Sequence, residues 1–243
     1  MSDKVVVEQT SVTAAQMSEF WRQVAAGDLS GKQVQDLLEH RNPFGIADID
    51  WAKTYGELGM QAEFAAFVGK GVFDMPPHHV VNPLLWTMPM IKGITCNRVV
   101  AGYRAKKVDV YTYVPDLDGN VTVNDRDPNR GSYTVGFRRT IEADEENAGK
   151  SANVLATAGH KGIVLCERLV LGFGYYVTTG QHLDVKTWTM CAGSRYSFGY
   201  VPRVCFGPGG RLVCVYWCSL GDADGSLRPR SAVSPVILPA QAA

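Results

Sequence analysis

The side chains best suited to nucleophilic catalysis are close together in the sequence. Cys191 follows His182 by nine residues, and Asp184 lies between them. A cysteine nucleophile needs a lowered pKa and an imidazole within hydrogen-bond reach. Spacing along the chain does not supply that geometry, and residues 193–196 lack the G-x-S-x-G pattern of a nucleophile elbow. Cys191 and His182 are therefore the catalytic candidates of an alternative hypothesis, a small-molecule enzyme. The pattern favours a different interpretation, in which Cys191 is buried at a strand end before a tight turn.

Arginine and tyrosine side chains cluster just after Cys191. Both residue types are enriched at the energetic centres of protein interfaces. The cluster consists of Arg195, Tyr196, Tyr200 and Arg203. Trp217 could extend it with a further aromatic ring. We therefore expect a non-enzymatic cytoplasmic binding or interaction protein that contacts an unidentified protein or small-molecule ligand through residues 193–203.

Patterns typical of bound metals or phosphates are incomplete in this chain. His78 and His79 are adjacent, and neighbours in an extended chain point to opposite faces. The aspartate-rich segments 116–120 and 222–225 place glycine at the fourth position, whereas a calcium-binding EF-hand loop requires it at the sixth. The glycine-rich segment 207–211 lacks the lysine and the following helix of a phosphate-binding loop. We predict no metal site and no cofactor.

Charge and cysteine content restrict the class of protein further. Lys and Arg together number 24, as do Asp and Glu, so the basic excess typical of nucleic-acid-binding proteins is missing. The six cysteines form no C-x-x-C pair, and we expect free, mostly buried thiols. No apolar run is long enough for a membrane helix, and the first residues do not resemble a secretion signal. A soluble cytoplasmic protein is expected, and a structural component of an assembly, including a phage-derived one, is a further alternative.

The elements that would position these residues change type along the chain. Residues 1–71 carry helical periodicity, with one helix expected to begin at Thr54. Residues 72–93 contain four prolines and are predicted to be a packed linker.

Residues 94–243 have strand character, with Tyr111 and Tyr113 in a period-two pattern. Two β-rich runs around Gly207–Gly210 predict a hairpin. Residues 162–180 contain both helix and strand signals, and the apolar spacing favours helix. The predicted fold is α+β: a short helical N-terminal unit, then a mixed, mainly antiparallel sheet with at least one further helix.

Four segments carry a resemblance to known sequences. They are LLEHRNPFG at 37–45, VDVYTYVPDL at 108–117, QHLD at 181–184 and AGSRYSFGYVPRV at 192–204. In this order they resemble a group of uncharacterised bacterial proteins from candidate-phylum and metagenomic genomes. That group has no assigned activity, so the resemblance implies no catalytic residue. It implies a helical start, a mixed α/β remainder and a helix near 164–180.

Overall fold

The computed structural model describes residues 14–26, 31–38, 46–69, 85–207 and 212–233. The chain forms two compact units, residues 1–45 and residues 46–243. The described part of the first unit is helical, with α1 at Ala14–Ala26 and α2 at Gly31–Leu38. The helical start of the predicted fold is therefore present.

The second unit begins with two short helices, α3 at Trp51–Glu57 and α4 at Gln61–Phe67, where the sequence predicted one helix. The carboxylate of Asp50 caps α3, so the helix begins before the expected position at Thr54. Gly59 then adopts a φ of 65°, in the left-handed region that ends a helix. The periodicity continued across this break, which explains why one helix was expected.

Nine strands are described in the second unit. They are β1 (Leu85–Met90), β2 (Asp109–Thr112), β3 (Val121–Asn124), β4 (Tyr133–Arg138), β5 (Trp188–Met190), β6 (Ser194–Tyr196), β7 (Val201–Phe206), β8 (Leu212–Cys218) and β9 (Leu227–Pro229). Five strands form one sheet in the order β2-β8-β7-β5-β9, in which β2–β8 and β5–β9 are parallel pairs. The pairs β1–β4, β3–β6, β5–β7 and β7–β8 are antiparallel. The mixed, mainly antiparallel arrangement and the β7–β8 hairpin are confirmed. Strand β1 occupies the end of the segment predicted as a linker, and residues 72–84 lie outside the described residues.

Further helices connect the strands. They are α5 (Cys96–Ala105), α6 (Leu117–Asn120), α7 (Ala152–Thr157) and α8 (Leu165–Thr179), with a short 3₁₀ helix at Glu145–Asn147. Helix α8 confirms the helical interpretation of 162–180. Its glycines, which had suggested strand, allow neighbouring elements to approach closely. A Cβ at Gly172 would lie 2.8 Å from the Tyr103 hydroxyl of α5, and one at Gly174 would lie 2.9 Å from the Trp51 ring of α3.

The five-stranded sheet packs on both faces, because alternate residues of a strand point to opposite sides. Val204, Val213 and Val215 belong to the main core, together with the buried side of α8. On the opposite face, Val201 and Cys218 pack in a smaller cluster with residues of α7. By the same alternation, Arg203 on β7 and Tyr216 on β8, which are paired with each other, point to the same face as this smaller cluster.

All six cysteines are free, as predicted, and five of them are buried. Burial shields these thiols from oxidants, so they act as small apolar side chains. None of the helices in the described ranges is long and apolar enough to cross a membrane.

Candidate functional site

Cys191 directly follows β5 and is completely buried. Burial raises the pKa of its thiol far above the ordinary value, although the charge of Arg168 acts in the opposite direction. Its Sγ lies 4.0 Å from the carbonyl oxygen of Thr189. Cys191 is therefore a neutral thiol at the end of a strand, and this environment does not suit a nucleophile.

The His182 ring is half-buried and stacked against two aromatic rings. Its centroid lies 4.6 Å from that of Tyr176 and 3.7 Å from that of Phe206. Burial, together with the charge of Arg168, lowers the pKa of His182 to about 4. No hydrogen bond joins His182 to Cys191 in the described part of the chain. The geometry therefore gives the Cys/His enzyme hypothesis no support.

Two of the four predicted binding residues have structural roles instead. Tyr196 is only 1% exposed; its ring stacks on Phe198, with centroids 4.8 Å apart, and its hydroxyl donates to the Tyr216 carbonyl. Arg195 is half-buried and donates from Nη1 to two carbonyl groups of its own loop, each at 2.7 Å. Tyr196 is thus buried beneath the Phe198 ring, and the prediction that it faces a ligand is corrected.

Of the other two predicted residues, Tyr200 belongs to a larger group of rings and Arg203 lies next to that group. We name the six rings of this group the aromatic surface: Tyr111, Tyr113, Phe198, Tyr200, Tyr216 and Trp217. Four of them are strongly exposed, at 48% for Tyr111, 43% for Tyr113, 44% for Phe198 and 37% for Tyr200. Single exposed apolar residues are ordinary on a protein surface, whereas a contiguous group marks an interaction site.

Five of these rings form a closed circuit of neighbours. Centroid distances are 5.3 Å from Tyr113 to Tyr216, 5.8 Å from Tyr216 to Trp217 and 4.4 Å from Trp217 to Tyr200. The circuit closes through Phe198, at 5.6 Å from Tyr200 and 6.2 Å from Tyr113. Because each ring contacts two others, the rings hold one another in place.

Strand register brings the rings together from distant parts of the chain. The parallel pairing of β2 with β8 sets Tyr111 opposite Cys214, and the Tyr113 amide donates to the Val215 carbonyl at 3.0 Å. Tyr111 and Tyr113 therefore reach the same side as Tyr216. The predicted alternation in 108–114 already placed these two tyrosines on one face, so this signal was present in the sequence.

A tight turn between β6 and β7 supplies the other exposed rings. The Tyr196 amide donates to the Tyr200 carbonyl at 2.8 Å, and the Gly199 amide donates back to the Tyr196 carbonyl at 2.9 Å. Gly199 has a φ of 90°, which only glycine adopts readily. The turn projects Phe198 and Tyr200 beside the end of β8.

Arg203 lies next to the aromatic surface on β7, directly opposite Tyr216. Its guanidinium carbon lies 4.4 Å from the centroid of the Trp188 ring and 5.5 Å from that of Tyr216. These two rings belong to β5 and β8, the strands on either side of β7, so the cation is held by aromatic neighbours from both sides.

Away from this surface, helix α8 carries two adjacent buried charges that sequence reasoning missed. The first, Glu167, accepts hydrogen bonds from Arg126 at 2.7 and 2.8 Å and from the Tyr133 hydroxyl at 2.9 Å. It also accepts from the Val164 amide at 2.9 Å, which caps its own helix. The sequence did contain a signal for this, since Glu167 and Arg168 are adjacent charges inside an otherwise apolar helix. Charges at buried positions need partners, so this position predicts buried ion pairs.

The second buried charge, Arg168, donates to Asp184 at 2.8 Å, and Arg230 donates to the same carboxylate at 2.6 Å. Thr189 also donates to Asp184. Burial would raise the pKa of Asp184, but the two arginine charges and the hydrogen bonds lower it below its ordinary value. Asp184, which lies between the two catalytic candidates in the sequence, thus has a structural role: it connects Arg168 of α8 with Thr189 of β5 and with Arg230.

Among the described residues, no group of three or more His, Cys, Asp or Glu side chains could hold a metal ion. The histidine pair at 78–79 lies outside the described residues, and the prediction about it stays a prediction. Comparison of the chain with protein-family models, with curated proteins and with solved structures gave no match. The resemblance to the bacterial group therefore also stays a prediction.

Proposed function

We propose that this chain is a non-enzymatic cytoplasmic binding protein that contacts a protein partner through the aromatic surface. One observation carries the proposal: six neighbouring rings, four of them at least 37% exposed, form one patch beside a sheet edge. Aromatic side chains are enriched in interface centres, whereas in a monomer they are mostly buried. Six free cysteines, five of them buried, support a reducing compartment.

The energy available from this patch is sufficient for specific recognition. An aromatic side chain buries about 150–250 Å² when it is fully covered, so each half-exposed ring still has roughly 100 Å² to lose. At about 25 cal/mol per Å², covering one such ring contributes about 2.5 kcal/mol. Several rings together can therefore offset the loss of translational and rotational freedom that association costs.

The patch is also rigid, which lowers the cost of binding. Tyr111 and Tyr216 lie on paired strands, and Phe198 and Tyr200 lie on a turn held by two backbone hydrogen bonds. Rings that already contact one another lose little rotamer entropy when a partner covers them. A loop of the same composition without these constraints would bind more weakly.

Selection from a random peptide library displayed on phage tests the proposal, with the full chain immobilised as bait. We expect enriched peptides that bind the wild-type chain and lose affinity for the Phe198→Ser variant by about thirtyfold, the effect of removing an interface anchor. Phe198 is 44% exposed and belongs to neither buried cluster, but its ring stacks on the buried Tyr196, so urea denaturation of the variant checks that the fold is retained.

Val154→Ser is the matched control, because Val154 is also an exposed apolar residue, 55% exposed, but lies on α7, which contributes no ring to the aromatic surface. Peptides that bind this control as tightly as the wild type complete the expected result. Failure to enrich any peptide, or equal affinity for the Phe198→Ser variant, would contradict the proposed function.

A further inference from the structure

We infer that the partner of the aromatic surface is a peptide segment whose aspartate or glutamate side chain pairs with Arg203, while its apolar side chains cover the neighbouring rings. The inference rests on the proposed function and specifies the chemistry of the partner.

Among the described residues, no carboxylate forms a salt bridge with Arg203. Arg203 is half-buried, yet within the same ranges it also makes no hydrogen bond. Its Nε is covered and lacks an acceptor in this part of the chain, whereas its two Nη groups are not covered and also lack one, so these are the donors that an external carboxylate can reach. Asp224 is close enough for Arg203 to contribute to the lowering of its pKa, after larger contributions from its hydrogen bonds with Ser226, but the two side chains form no salt bridge.

The other half-buried or buried arginines in the described part of the chain all have acceptors. Arg126 pairs with Glu167, and Arg168 and Arg230 pair with Asp184. The remaining three, Arg139, Arg195 and Arg228, donate to backbone carbonyl groups. A half-buried guanidinium without an acceptor is costly, because desolvation is not compensated. Arg203 therefore differs from every comparable arginine in lacking an acceptor inside the protein.

The fixed orientation of the Arg203 guanidinium indicates which acceptor group would fit it. The Trp188 and Tyr216 rings hold the planar guanidinium on two sides, at 4.4 and 5.5 Å from its carbon. A guanidinium fixed in this way matches a carboxylate, which accepts two parallel hydrogen bonds from it. Because the rings already hold the guanidinium in place, less conformational entropy is lost when a carboxylate pairs with it. The free energy of pairing should therefore be more favourable here than at a mobile surface arginine.

The charges around Arg203 favour a peptide over a nucleic acid. A polyanion needs several unpaired cations along its path. Here one unpaired arginine lies among neutral rings, and Asp109 on the exposed side of β2 adds negative charge to the same face. Because rings lie on both sides of Arg203, the carboxylate belongs within a segment and not at its end, which favours a side-chain carboxylate.

Two dipeptide probes test this inference: acetyl-Asp-Trp-amide and acetyl-Asn-Trp-amide, which differ only in the carboxylate. Each is titrated into the isotope-labelled full chain and followed by nuclear magnetic resonance. We expect the aspartate probe to shift the Nη–H signals of Arg203 and the backbone amide signal of the exposed Phe198. Its affinity should be about tenfold higher than that of the asparagine probe.

The Arg203→Gln variant should bind both probes equally and still show shifts at the rings, since the aromatic surface is retained. Arg228→Gln is the matched control: Arg228 is also half-buried but donates to the Gly225 carbonyl, so the tenfold preference should persist. If the variant at 203 fails to fold, the comparison of the two probes on the wild-type chain still decides the question.

Equal affinity of the two probes for the wild type would overturn the inference and leave the proposed function intact, because that function is judged by the peptide selection. Three further results would also overturn it. These are no shift with either probe, tighter binding of N-acetyltryptophan, which carries only a terminal carboxylate, and tighter binding of a short oligothymidine at the same surface.

Discussion

Replacing Asp184 with asparagine should strongly destabilise the fold. The substitution keeps the size of the side chain but removes the carboxylate that Arg168 and Arg230 share, at 2.8 and 2.6 Å. Both arginines are at most 3% exposed, so they cannot turn to water. Asp184 has a φ of 57°, a conformation that asparagine also tolerates, so added backbone strain is not expected.

The expected loss is about 4 kcal/mol. Removing one partner of a buried ion pair typically costs about 3–5 kcal/mol, because the remaining charge is left buried without compensation. Small domains unfold with about 5–15 kcal/mol in total, so this one change removes a large share of the stability. Urea denaturation followed by tryptophan fluorescence measures the difference, and the slope against urea should not change.

A matched control uses an exposed ion pair. Asp127 lies 3.9 Å from Arg130, whose side chain is 87% exposed, and pairs of this kind contribute about 0–1 kcal/mol. Asp127→Asn should therefore change the unfolding free energy by less than about 0.5 kcal/mol. A loss below about 1 kcal/mol in Asp184→Asn would refute the argument that this carboxylate holds two buried cations.

The pH dependence of the Asp184→Asn difference provides a second check. The pKa of Asp184 is lowered in the folded state, so its stabilisation is complete above the unfolded pKa of about 4 and is lost as the pH falls through the lower folded value. The wild type and the variant should therefore differ by a constant amount at neutral pH and converge only in strong acid. Convergence already at pH values near neutrality would contradict this assignment.

Two further changes test local features of the fold. A Cβ at Gly193 would lie 2.8 Å from the Gly162 carbonyl oxygen, so Gly193→Ala should lower the unfolding free energy by about 1–3 kcal/mol. A Cβ at Gly131 has no neighbour within 4 Å, so Gly131→Ala should have little effect. Equal unfolding free energies of the two variants in urea denaturation would disprove the close approach. The pKa of His182 is lowered from 6.5 to about 4 in the folded state, so the unfolded state takes up a proton first and wild-type stability should decline as the pH falls between these values. His182→Gln should show a shallower decline of the unfolding free energy. Parallel profiles of the wild type and the variant would contradict the lowered pKa.

Local patterns predicted part of the secondary structure in the second unit, but not helix α5 or α7, which lie in the region expected to have strand character. Helix α8 and the β7–β8 hairpin are recognisable because apolar spacing and turn residues act over a few neighbouring positions. The break between α3 and α4 was not recognised, since Gly59 can be accommodated in a helix at moderate cost, and only its φ of 65° shows that it ends one.

The candidate site was predicted in part. Tyr200 and Arg203 were identified from their residue types, and the structure adds the rings that surround them. Tyr196 was assigned to the same surface, but it is buried. Residue type does not distinguish the two tyrosines, because the difference arises from the turn at Gly199, which directs one ring into the core and the other outward.

The sequence by itself determined the class of fold, the free thiols and the absence of a complete catalytic or metal-binding motif, because composition and short-range periodicity express local physical preferences. Only the tertiary structure decided which charges are compensated. Glu167 and Arg168 are adjacent in the chain, yet each pairs with a residue at least 16 positions away, whereas the Arg203 guanidinium packs against the Trp188 and Tyr216 rings. Partners that distant are brought together by strand register and helix packing, and a single sequence contains no local signal for them.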